Sequence, residues 1–108
     1  MNKDIFLSTL GLARRAGKIC YGFDSVAENA DKVTAIFIAK DSSERTVRNI
    51  NYIFEERNIQ SVAINYTKTE LGYAIGTKPV GIIGVTDSGF TKLLKARLST
   101  EVTNGYND

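Results

Sequence analysis

Histidine is missing from this 108-residue chain, and cysteine occurs once, as Cys20. Without histidine the commonest general base at neutral pH and the commonest metal ligand are both gone. A lone thiol cannot complete a zinc site from the usual nitrogen and sulfur ligands, and it cannot form an internal disulfide. An enzyme would have to work with carboxylates or lysines, and no pair of these stands out. No catalytic residue, metal or cofactor is expected. Long apolar runs are also lacking: Ile5-Phe6-Leu7 is too brief to span a bilayer, and no signal peptide opens the chain. The expectation is a soluble protein of a reducing, cytoplasmic setting, with no membrane partner and no small-molecule substrate.

Nucleotide-binding signatures are absent as well. "GTKPVG", residues 76–81, has the spacing of a phosphate loop, but Ile82 and Ile83 stand where Lys and Ser/Thr should follow. The segment leads into a strand pattern, whereas a phosphate loop leads into a helix. No G-x-G-x-x-G occurs. Cys20 has no histidine to activate it and reads as a strand cysteine of the core.

What is present belongs to an ordinary globular domain, with 43% apolar and 24% charged residues and enough length to close one core. The net charge is +2, from 14 basic and 12 acidic side chains, so any claim on nucleic acid rests on where the charges fall. Residues 3–16 read as a helix, with Phe6, Leu10 and Ala13 on one stripe and Gly17 as its stop. "KICY" reads as a short strand, and Gly22 as a turn into a helix carrying Phe23, Val26, Ala27 and Ala30. "VTAIFIA", residues 33–39, has the unbroken apolar character of a strand covered on both faces.

Asp41 with Glu44 resembles a capping box for a third helix that reaches Asn58, and "QSVAIN", residues 60–65, is the next strand. Thr67 with Glu70 is a capping box for a fourth helix ended by Gly76. "PVGIIGV", residues 79–85, is a buried strand, and Asp87 or Ser88 caps a last helix with Phe90, Leu93, Leu94 and Leu98 inward. Strands alternating with helices predict an α/β fold, a three-layer α/β/α sandwich on a four-stranded central sheet. One domain is expected over residues 1–98, with 99–108 as a polar, frayed tail.

The stretch "RRAGKICYGFDS", residues 14–25, carries the strongest signal. Arg14, Arg15 and Lys18 complement a helix C-terminus, which is a sufficient local reason for them. Gly22, however, starts a helix whose first N–H groups lack partners, a place for a phosphate or a base edge. Lys40, Arg45 and Arg48 lie at the start of another helix, where the dipole disfavours cations. Lys78, with Pro79 and Val80, completes a third loop. Lys92 and Lys95 in "TKLLKARL" read as a solvated face rather than an RNA surface.

The run Gly17, Lys18, Gly22 and Phe23, then "IAKD" at 38–41 and "ELGYAIG" at 70–76, resembles the ribosomal L-seven-Ae/L-thirty-e family. "LGLARRAGKI" and "VTDSGFTKLL" bring it nearest to the small bacterial YlxQ-type members, and the resemblance spans residues 5–95. It implies a sandwich that binds structured RNA, a kink-turn or related internal loop, with ribosomal RNA as the expected partner. It places the RNA contacts at Gly22, Phe23, Asp24, Ser25 and Glu28 and at Thr77, Lys78, Pro79 and Val80. Around them Arg14, Arg15, Lys18, Lys40 and Arg45 would supply charge. The chain departs from the family pattern at Asp24, Ser25 and Glu28, where relatives carry Asn-Glu and Lys, and an anionic Glu28 would repel phosphate. The "ENADKV" segment also replaces a basic, glycine-containing turn. An interaction module that keeps the sandwich but has lost RNA contact is the alternative.

Overall fold

The computed structural model describes residues 4–106. Helix α1 (Ile5–Arg15) leads through β1 (Ile19–Tyr21) and α2 (Phe23–Glu28) to β2 (Ala35–Ala39). Then come α3 (Glu44–Phe54), a 3-10 turn (Glu55–Arg57), β3 (Ser61–Ile64), α4 (Lys68–Ile75), β4 (Ile82–Val85) and α5 (Ser88–Tyr106). The sheet order is β1-β4-β2-β3; β4 runs antiparallel to both neighbours, and β3 runs parallel to β2.

Side-chain alternation along the strands builds two cores, one on each face of the sheet. Ala35, Phe37, Ala39, Ile83 and Val85 point to the core closed by Phe6 and Leu10 of α1, Leu71 and Ile75 of α4 and Leu94 of α5. Ile36, Ile38 and Ile82 point the other way, to Val26 of α2 and Ile50 and Phe54 of α3. This is the expected three-layer sandwich. At Gly84 a β-carbon would lie 3.2 Å from Val33 and 3.3 Å from Val26, so the missing side chain lets α2 press close onto the sheet.

The helix ends follow local chemistry. The Asp4 carboxylate accepts the Leu7 N–H at 2.9 Å and the Tyr66 hydroxyl at 2.6 Å, capping α1 and tying it to the end of β3. Thr67 and Glu70 form the expected capping box, and Gly76 closes α4 in the left-handed region at φ 80°. Asp87 caps the last helix through the Phe90 N–H at 2.8 Å.

Four details differ from the sequence reading. Ser43 caps α3, and Asp41 instead accepts the Lys68 N–H at 2.9 Å, serving α4. The third helix stops at Phe54, and the chain turns through left-handed Asn58 at φ 57°. Leu93 is 38% exposed rather than inward. Helix α5 carries helical backbone to Tyr106, through much of the segment expected as a polar tail; residues 107 and 108 lie outside the described residues.

Candidate nucleic-acid interface

Because β4 opposes its neighbours and β3 follows β2, four connections meet at one end of the sheet. These are the exits of β1, β2 and β3 and the entry to β4, and backbone hydrogen bonds sew them together. The Gly22 N–H donates to the Ile82 carbonyl at 2.9 Å, and Ala39 donates to Gly81 at 2.8 Å. Lys40 donates to Tyr66 at 2.9 Å, and Val80 donates to Lys68 at 3.1 Å. The Ser42 hydroxyl also reaches the Gly81 carbonyl, at 3.4 Å.

Gly22 holds φ 89°, a conformation that side-chain-bearing residues rarely adopt, and turns the chain directly from β1 into α2. No side chain among the described residues caps α2. Asp24 is exposed, Ser25 is half-buried, and half-buried Phe23 packs against the second core, anchoring the helix start.

Beside this turn lies a groove of about 330 Å³ lined by Tyr21, Thr77, Lys78, Pro79 and Val80. The Arg14 guanidinium sits 5.3 Å from the centre of the ring of groove-lining Tyr21, a cation–π contact. The 77–80 loop is fixed from below: Thr77 N–H donates to Gly72 at 2.8 Å, and its hydroxyl donates to the Lys78 carbonyl at 2.7 Å. Pro79 is exposed, while half-buried Val80 packs on the first core.

Lys40, Arg45, Lys68 and Lys78 are exposed around the same end. Among the described residues the single ion pair is Arg57–Asp31, so none of these four is neutralised by a bound carboxylate. Lys40 donates to the Asn65 side chain at 3.2 Å, which leaves its charge unopposed. Asp41 and Glu70 lie nearby, but both are engaged by backbone N–H groups of the α4 start.

The expected cluster of Arg14, Arg15 and Lys18 around Gly22 divides. Lys18 stands at the entry of β1, where its carbonyl accepts the Thr86 N–H at 2.9 Å. Gly22 stands past the exit, about 13 Å away at strand rise. Arg15 is exposed in the last turn of α1, and Glu28 is exposed at the far end of α2. Tyr21 and Lys68 belong to this end of the sheet but were not singled out from sequence. Tyr21 is legible only as the residue before Gly22, and Lys68 only as the residue after the Thr67 cap.

No nucleophile is prepared here. Cys20 is half-buried in β1, its thiol faces the Gly84 carbonyl at 3.8 Å, and burial pushes its pKa up. Among the described residues no group of three or more His, Cys, Asp or Glu could hold a metal ion, and no helix is long and apolar enough to cross a membrane.

Charge, backbone and one shallow groove, with no reactive group among them, are the make-up of a binding module. Residues 5–95 match the ribosomal protein L7Ae/L30e/S12e/Gadd45 family, and the chain belongs to it. That family is one of RNA-binding, non-enzymatic proteins. A solved structure of a protein of unknown function from Bacillus halodurans is similar, with TM-score 0.82 and 28% identity over 90% of this chain and 99% of that one. The Giardia lamblia 15.5kD RNA binding protein shares the fold, with TM-score 0.71 and 16% identity over 93% of this chain and 89% of that one. No curated protein matches the sequence.

Proposed function

We propose that the protein binds structured RNA at a kink-turn or related internal loop, with ribosomal RNA as its target class and the cytoplasm as its setting. The observation that carries this is the convergence of Lys40, Arg45, Lys68 and Lys78 on the sheet end that holds the Gly22 turn and the Tyr21–Val80 groove. A sharply bent RNA crowds its phosphates and exposes unstacked bases, and backbone-lined turns flanked by cations suit both. In this reading the cations, with Arg14 beside Tyr21, neutralise phosphate. The Gly22–Ser25 turn meets the bent backbone, and the Pro79–Val80 lip receives an extruded base. Membership of an RNA-binding family and the fold shared with the Giardia protein support it.

The direct experiment compares a kink-turn RNA with a straight duplex of equal length across a salt series. Preference for the kink-turn is expected, with a slope of log K against log salt of roughly −3 to −4 for about four phosphate contacts. Equal affinities, or binding indifferent to salt, would overturn the reading. Exposed Glu28 and the net charge of +2 favour the alternative, a protein-interaction module on the same fold.

A further inference from the structure

A second, larger groove lies away from the sheet end just described. It measures about 1040 Å³, and its floor is Ser61 and Val62 of β3, one of the two edge strands of the sheet. Its walls come from both helical layers, with Arg48, Asn51, Tyr52 and Glu55 from the α3 side and Lys95 from α5. Small-ligand sites rely on a mainly apolar lining with few polar groups, whereas this groove's surface is about equally polar and apolar and carries Arg48, Glu55 and Lys95.

Two observations say what this groove can hold. First, a peptide adding a strand to β3 would need the outward N–H groups of that edge. The Ser61 N–H already donates to the Asn51 side chain at 3.2 Å, which blocks the first of them. Second, the groove is reached along a track. Arg45, Arg48 and Tyr52 fall at i, i+3 and i+7 on α3, all exposed, and that helix runs from the cationic sheet end to the groove. The track covers about 10 Å at helical rise. Tyr52 is 78% exposed, so its ring is open to a stacking partner. Arg48 and Lys95 outnumber Glu55, and among the described residues neither cation has an ion-pair partner.

We infer that this groove binds a single-stranded RNA segment flanking the structured element, with Tyr52 stacking on a base and Arg48 and Lys95 contacting phosphate. Alternating cations and an accessible ring are what single strands require, since every base has a face to stack. The inference rests on the RNA reading of the sheet end, because the track on α3 starts there. It also gives Lys95 a role beyond a solvated helix face.

The experiment measures binding of the full chain to three RNAs: a blunt kink-turn, the same kink-turn with a short uridine extension, and the isolated uridine strand. The extension should tighten binding about tenfold. Tyr52→Ala and Lys95→Ala should each erode that increment while leaving the blunt kink-turn unaffected, and Tyr52→Phe should retain it. An extension that adds nothing, or an increment that survives Tyr52→Ala, overturns the inference. Failure of the blunt kink-turn to bind sinks the reading of the sheet end instead. In that case the groove is judged on the isolated strand: binding abolished by Tyr52→Ala upholds it, and absence of binding overturns it.

Discussion

Gly72 of α4 lies directly against the backbone of Lys78. A β-carbon on Gly72 would overlap the Lys78 carbonyl and come within 2.9 Å of the Pro79 Cα. The helix thus serves as the bed on which the 77–80 loop rests. Gly72→Ala must push that loop outward, at a cost of about 1–3 kcal/mol of stability by overpacking. Kink-turn affinity should fall with it, while affinity for a straight duplex changes less. Urea denaturation and RNA titration on the same variant check both parts.

Charge removal should sort by position on the sheet. Lys40→Ala and Lys78→Ala should each weaken RNA binding and reduce the salt slope by about one, with stability moving by less than about 0.5 kcal/mol. Lys18→Ala, at the opposite end of β1, should leave the slope unchanged. Equal losses from Lys18 and Lys40 would mean that the contact surface is not the sheet end described.

Glu28 stands exposed on the last turn of α2. Glu28→Lys removes a repulsion and adds an attraction, each about 0.5 kcal/mol in water at the ~9 Å that α2 puts between Glu28 and the Gly22 turn. Kink-turn affinity should rise about threefold to fivefold, and affinity for a straight duplex should rise less. Improvement on neither RNA would favour the interaction-module reading.

Stability should be nearly flat between about pH 6 and 8, because no histidine titrates there. Burial raises the folded pKa of Cys20 above its unfolded value, so the fold favours the neutral thiol. That contribution is complete below the ordinary thiol value and is lost as pH rises through the higher folded one. Urea midpoints for wild type and Cys20→Ala should therefore converge in alkaline buffer relative to neutral.

The layered fold was readable because strand alternation and helix spacing are local: Thr67, Glu70 and Gly76 did what their chemistry dictates. Asp41 was misassigned because a D-x-x-E pattern names a cap but not which helix it serves. Only the return of β3 beside β2 puts the α4 start within reach of that carboxylate. The candidate interface was partly readable, since Lys40, Arg45 and Lys78 are neighbours only through the sheet order. Lys18 and Gly22 make the converse point, because a strand sends residues close in sequence to opposite ends of a sheet.

The pairing of Ile19 with Val85 sets a timetable for synthesis. A ribosome makes the amino-terminal strand early, but that strand's sole neighbour in the sheet is β4. Until residues 82–85 emerge, β1 has no ladder to join, and the Gly22 N–H has no Ile82 carbonyl to meet. Closing so long a span is also an entropically late event in refolding. Nascent chains halted before β4 therefore present cations without the Gly22–Ile82 contact that fixes the turn, and the surface proposed here to meet RNA is assembled only with the last strand.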